Sequence, residues 1–247
     1  VMETLMKERP WLTTGMVVLQ AESETSSINM VYGVASTGTF IAAYGMNGWV
    51  FNSPNGIPTG WTYREDHDYS QQYFTITSLA SNNDVYFETV GTNTNLGKTI
   101  QYSTDLVNWT SYTDELADNA SPFITLSKNQ SVYIKGTNTS YASSSSIYDE
   151  FYCSANTKIS GNIMSLIYGD NFVGQTTLTA SYTFSHLLGY ARAKIASNLV
   201  LPANNLRQGC YGYMFYNCTE LVAAPALPAT KFNGGACYMY MFYCCCR

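Results

Sequence analysis

Charge is what this chain of 247 residues has least of: only 12 % of its positions are Asp, Glu, Lys or Arg, about half the usual share for a soluble domain. The formal net charge is −5, and Lys and Arg nowhere form a run. A nucleic-acid partner or an anionic membrane surface is therefore not expected, because both are recognised through basic patches. No apolar run approaches the length needed to span a bilayer. There are two histidines. His67 lies within Glu65-Asp66-His67-Asp68 and reads as a solvated turn, and His186 reads as a repeat-core or surface residue. No Ser-His-Asp spacing, HExxH, P-loop or GxGxxG motif is present, so no catalytic residue, cofactor-binding residue or metal ligand is assigned. Asp114, Glu115 and Asp118 read as a polar loop face, with a loose Ca²⁺ site as the alternative. Ahead of Arg192 the only arginines are Arg9 and Arg64.

Hydroxyl, amide and glycine residues take the place of charge, with 21 tyrosines among the aromatics. Tyr and Thr suit a pleated sheet while Gly and Asn supply turns, so the fold class expected is mainly β. Small β-sandwich or propeller-blade-like domains would precede the start of a leucine-rich-repeat-type solenoid. Residues 1–14 read as an N-terminal arm ended by Pro10. Residues 15–68 read as a β-hairpin or blade-like region carrying MVYGVAS, TFIAAYG and GWVFNS. Residues 69–168 read as a small β domain, with strands expected at YFTITSLA, DVYFETV, KTIQYST, WTSYT, SPFITLS and QSVYIKG. The apolar stretch Met16–Leu19 lacks a basic flank, since Glu3 and Glu8 precede it, so release without a cleaved signal is expected.

Residues 169–247 contain an internal repeat. Leu201-Pro202-Ala203 returns as Leu227-Pro228-Ala229, and Cys210, Tyr211, Met214, Phe215 and Cys218 return as Cys237, Tyr238, Met241, Phe242 and Cys245. A fainter copy precedes them, with Phe184, Leu187 and Leu188 leading to Leu199. The period falls inside the window of about 20–29 residues typical of leucine-rich repeats. Tyr211, Met214 and Phe215 stand at i, i+3 and i+4, which predicts one face of a helical turn, in an arm that is helical or irregular. One such repeat cannot bury its own apolar face, so copies must stack. The spacing predicts an array that continues past Arg247 or is covered at its open end by partner chains.

Six of the seven cysteines lie in the repeats. Their spacing offers no CxxC metal pair. A Cys210–Cys237 disulfide and a core ladder of small hydrophobes are both open, with the ladder preferred, and Cys153 reads as a lone buried thiol. The recurring tyrosines Tyr211, Tyr213, Tyr216, Tyr238, Tyr240 and Tyr243 are the candidate binding surface. Tyrosine gives rigid amphipathic contact area at low entropic cost; burial in the core is the competing reading.

At LPANNLRQGCYGYMFYNCTELVAAPALPAT the sequence resembles BspA-like leucine-rich repeat proteins, the surface and virion proteins of gut Bacteroidales and their phages. SGNIMSLIYGDNFVGQTTL resembles the lead-in to such arrays, and KTIQYSTDLVNWTSYT with ITLSKNQSVYIKGTN resembles the small β-domain before it, so the likeness covers about residues 99–247. The terminal Cys244-Cys245-Cys246-Arg247 departs from the expected Gly-Cys-Thr-x-Leu, as a truncated or frame-shifted end would. The N-terminal part is similar to single blades of BNR-type propellers. Ser53, Asn55 and Trp61, and again Ser103, Asp105 and Trp109, approximate Asp-box hairpins, whose acid caps its own turn and whose Trp packs between strands. Asp boxes are structural wherever they occur.

These resemblances imply a non-enzymatic recognition or structural protein on a virion or cell surface, foremost a phage tail-fibre-like component. Its partners would be a host surface glycan or protein, or other virion or surface proteins, with self-association into a homo-oligomer left open. A bacterial cell-surface adhesin of the same repeat type is the alternative. A glycan-processing propeller enzyme is disfavoured, because a sialidase needs an arginine cluster that this chain cannot supply.

Overall fold

A computed structural model describes residues 68–91 and 95–245 in full, together with the backbone of four strands before them. The chain divides into two compact units, residues 1–68 and 69–247. In the first, β1 (Val17–Leu19) pairs antiparallel with β2 (Met30–Tyr32), and β3 (Thr39–Ala43) pairs parallel with β4 (Thr62–Asp66). Parallel strands need a crossover connection, so β3 and β4 are not joined by a hairpin turn. The N-terminal arm and the first Asp-box, with Ser53, Asn55 and Trp61, lie outside the described residues, as does His67.

The second unit holds two large sheets and one two-stranded sheet among its described residues. The first contains β5 (Phe74–Ser78), β7 (Thr99–Ser103), β8 (Thr110–Thr113), β11 (Ser131–Gly136), β13 (Thr157–Asn162) and β14 (Ala193–Val200), in the order β14-β13-β5-β11-β7-β8. The second contains β6 (Asn83–Val90), β9 (Glu115–Leu116), β10 (Ile124–Leu126) and β12 (Tyr148–Cys153), with β10 and β12 flanking β6. No sheet closes on itself, and the protein is mainly β, with one α-helical turn, α1 (Ser165–Tyr168), among the described residues. All six expected strands of this region are present.

Strand alternation explains the core. Along β6 every second residue is buried, and Asn83, Val85, Phe87 and Thr89 face inward. Phe74 from the first sheet stacks on Phe151 from the second at 5.5 Å, and Phe151 meets Phe87 at 5.0 Å. Each such ring contributes about 1.5–3 kcal/mol through burial. The Ser165 hydroxyl accepts from the Phe74 N–H and donates to the Ile134 carbonyl, both at 2.9 Å, which ties α1 to β5 and β11.

The repeat segments are not helical. Residues 181–190, 208–217 and 237–244 are runs of consecutive turns. Left-handed backbone recurs every fourth residue, at Tyr182 and His186, then Gly209, Tyr213 and Asn217, then Ala236, Tyr240 and Cys244. A helix cannot pass through such residues. The donors then split into two sets. The N–H groups of Gly212, Met214, Tyr216 and Cys218 bond carbonyls three residues back, while those of Gly209, Tyr211, Tyr213, Phe215 and Asn217 bond the following copy at 2.8–3.0 Å, each to the residue 26 positions later. The first copy repeats the pattern: Tyr182, Phe184, His186 and Leu188 donate to Gln208, Cys210, Gly212 and Met214. That first copy is bonded in turn to the chain before it, through Tyr141 N–H to Thr183, Phe151 N–H to Leu187 and Cys153 N–H to Tyr190. Between the runs, β14 pairs parallel with the earlier strand β13, and β15 (Asn205–Leu206) pairs parallel with β16 (Lys231–Phe232).

Candidate recognition surface

Copies in register place equivalent side chains above one another, and the aromatic residues form columns. The inner column runs Tyr141, Phe184, Tyr211, Tyr238, with ring centroids 6.3, 5.8 and 5.7 Å apart and planes within 18° of parallel. Tyr211 is fully buried in it. The expectation that Tyr211 belongs to a binding face is therefore corrected: its ring is held between Phe184 and Tyr238, and its hydroxyl finds no partner among the described residues. Tyr238, half-buried in the same column, is better placed in the core than on a contact face.

A second column runs outside it: Tyr148, His186, Tyr213, Tyr240, with spacings of 3.9, 4.4 and 5.2 Å. His186 is clamped between two tyrosine rings, and burial lowers its imidazole pKa to about 4, so it is a neutral ring at physiological pH. A third set joins Tyr190, Tyr216 and Tyr243, the last pair stacked at 5.6 Å and 4°. Tyr216 also lies 6.0 Å from Tyr213, and Tyr243 lies 5.4 Å from Tyr240, so the two outer columns form one aromatic flank. Tyr240 and Tyr243 are 53 % and 51 % exposed. Of the six candidate tyrosines, four (Tyr213, Tyr216, Tyr240 and Tyr243) lie together here. Sequence reasoning did not place Tyr148 or Tyr190 on this flank, and it read His186 only as a repeat-core or surface residue. The signal for His186 was available, because the 27-residue offset aligns it with Tyr213 and Tyr240.

The cysteines have a different role. The thiols of Cys210, Cys218, Cys237 and Cys245 each point at the carbonyl 30 residues upstream, on Ala180, Leu188, Arg207 and Phe215, at 3.8, 3.3, 3.3 and 3.0 Å. Cys210, Cys218 and Cys237 are free thiols. The ladder takes this form, in which a small side chain fills a narrow site and donates one weak hydrogen bond between copies. Cys153 is buried and free, as its isolation in the sequence suggested.

Three polar features lie outside the array. Asp105 organises the β7–β8 turn: its carboxylate accepts from the Val107 and Asn108 N–H groups at 2.9 and 2.8 Å and from the Asn108 amide at 2.7 Å, and Ser103 donates to it at 2.9 Å. These donors hold the carboxyl well below its ordinary pKa. Trp109 packs on Tyr73 at 5.0 Å and lies 4.1 Å beneath the Lys135 ammonium, which bonds Asp170 at 2.7 Å. Asp114 is not on a loop face. It is buried, and the Thr89 hydroxyl lies within bonding reach of both Asp114 and Asp149. Asp149 also hydrogen-bonds Asp114, and burial raises its pKa. A proton kept by Asp149 satisfies the two carboxyl oxygens that otherwise lack a partner. Glu115 and Asp118 stand apart from this pair on more open positions. Among the described residues no group of three or more His, Cys, Asp or Glu side chains could hold a metal ion, and no helix is long and apolar enough to cross a membrane.

No protein-family model matches the sequence, and no curated protein or solved structure is similar enough to count as a match.

Proposed function

We propose that this chain is a non-enzymatic surface-recognition protein, a virion or tail-fibre-like component whose repeats are the beginning of a BspA-like leucine-rich-repeat solenoid. The observation that carries the reading is the outer aromatic flank, where Tyr213, Tyr216, Tyr240 and Tyr243 stack in register with half or more of the last two rings open to solvent. Tyrosine rings held rigid by stacking present a sugar or a protein side chain with apolar area and hydroxyls while losing little entropy on binding. The β-rich sheets serve as the base on which the array stands. No catalytic role is proposed for Asp149 and Glu150: both acids are enclosed, and an acid that no substrate can reach does not transfer protons to one. The partner is a host-surface glycan or protein.

The test is a screen of the purified chain against a glycan array and against intact bacterial surfaces. Binding that is lost on Tyr240→Ala with Tyr243→Ala supports recognition by the flank. Absence of binding to every glycan and surface would leave a purely structural role.

A further inference from the structure

A cleft of about 170 Å³ opens where the edge strand β12 meets the first two repeat copies. Its walls are two tyrosines, Tyr152 of β12 and Tyr190 at the end of the first copy. Amides come from Asn156 and Asn217, a hydroxyl from Thr219 and charge from Arg192 and Glu220. We propose that this cleft binds an acidic sugar, a hexuronate or sialic acid unit at the end of a glycan, through its carboxylate on Arg192. The proposal deepens the recognition reading above and rests on it, since the cleft shares Tyr190 with the aromatic flank.

Three observations carry it. First, the side-chain polar groups of Tyr152, Asn156, Tyr190, Arg192, Asn217 and Thr219 make no hydrogen bond or ion pair within the described residues. Asp105 and Lys135, by contrast, are each held by bonds within the unit. Here six donors and acceptors of complementary kinds converge unused. Second, Arg192 is a guanidinium without a carboxylate partner among the described residues, set in left-handed backbone at φ 47°. The planar fork of arginine matches a carboxylate with two parallel hydrogen bonds, which a neutral hexose does not offer. The acidic residue of the cleft, Glu220, lies 3.9 Å from the Lys194 ammonium, which offsets its repulsion of an anionic ligand. Third, the chemistry around the arginine is that of a sugar site. Aromatic rings supply apolar faces for the C–H side of a pyranose, and amide and hydroxyl groups supply partners for its hydroxyls.

The repeat register makes the cleft a single site. A step of 27 residues carries Arg192 to Thr219 and Tyr190 to Asn217, so the arginine and its flanking ring do not recur in the next copy.

The experiment titrates the full chain with three methyl glycosides: the glucuronide, the N-acetylneuraminide and, as neutral control, the glucoside. Saturation-transfer NMR reads the sugar, and amide shift changes read the protein. The acidic glycosides are expected to bind and to shift residues 152–156, 190–192 and 217–220. Arg192→Gln is expected to weaken them about tenfold or more, the loss of a bidentate charged contact, with the circular dichroism spectrum unchanged. Response to one acidic probe alone supports the site and identifies the source as uronate polysaccharide or sialylated glycan. Equal binding of the glucoside, shifts confined elsewhere, no binding at tens of millimolar, or an unchanged affinity in Arg192→Gln would each overturn the proposal. Should that variant fail to fold, the acidic-against-neutral comparison on the unaltered chain decides. If the Tyr240 and Tyr243 variants abolish surface binding while no acidic glycoside binds, the cleft assignment fails and the recognition reading stands. The reverse pattern retires the flank and keeps the cleft.

Discussion

At the scale of single residues, burial sets the chemistry of several ionisable groups. Asp149 and Glu150 are neighbours on β12 that face opposite sides of the sheet, and both are almost fully buried. Burial raises both carboxyl pKa values, that of Glu150 to about 8. A raised value means that the folded chain holds protons the unfolded chain has released, so stability falls as pH rises between the two values. For Glu150 that window runs from the ordinary carboxyl range up to about 8. The cross-strand partner of Glu150 is Glu88, a like charge that steepens the loss. Thermal unfolding followed from about pH 5 to 9 is therefore expected to show a falling melting temperature, and Asp149→Asn to flatten the slope. A melting temperature that climbs over this range would contradict ionisable burial at β12.

At the scale of the element, the repeat turns show what the sequence reveals and what it hides. The six strands around the core were legible because alternation and turn residues agree locally, as in Asn83–Val90. The repeat arm was read as helical or irregular because Tyr211, Met214 and Phe215 stand at i, i+3 and i+4, and all three are buried. A run of turns advancing four residues at a time produces the same spacing. What separates the two is backbone handedness, and only Gly209 and Asn217 announce it in the middle copy; Tyr213 does not. Strands β12, β13 and β14 were blurred for another reason. YDEFYC and TKISGN are buried on both faces, so they lack alternation. The left-handed positions carry a prediction. Gly209→Ala is expected to destabilise by about 1–3 kcal/mol, from the left-handed penalty and a Cβ that would clash with the Tyr182 ring. Ala236→Gly, the equivalent position one copy later, is expected to be neutral or stabilising by up to about 1 kcal/mol. Urea midpoints with unchanged slopes measure both; equal effects at the two positions would deny the shared turn geometry.

At the scale of the second unit, the sheets and the array are one continuous structure. Tyr141 and β12 supply main-chain donors to the first copy, and the inner column begins on Tyr141 before passing into the repeats. Stability in such arrangements comes from contacts between neighbours rather than within a copy. Phe184, between Tyr141 and Tyr211, is one of the rings, with His186 on Tyr148, through which the array meets what precedes it. Phe184→Ala is expected to cost about 3–5 kcal/mol and to lower the transitions of sheet and array together, read by calorimetry. Loss of the array signal alone, with the sheet transition unmoved, would show two independent bodies.

The same columns decide which tyrosines work as core and which as contact area. The recognition reading stands on the outer set, so the most direct measurement is the affinity of the full chain for a captured surface ligand, with and without Tyr240→Ala and Tyr243→Ala. Both rings are half exposed, and their removal is expected to leave folding intact while weakening binding by about 2 kcal/mol or more, as truncating aromatic hot spots does. An affinity unchanged by the double substitution, in a chain that remains folded, would contradict it.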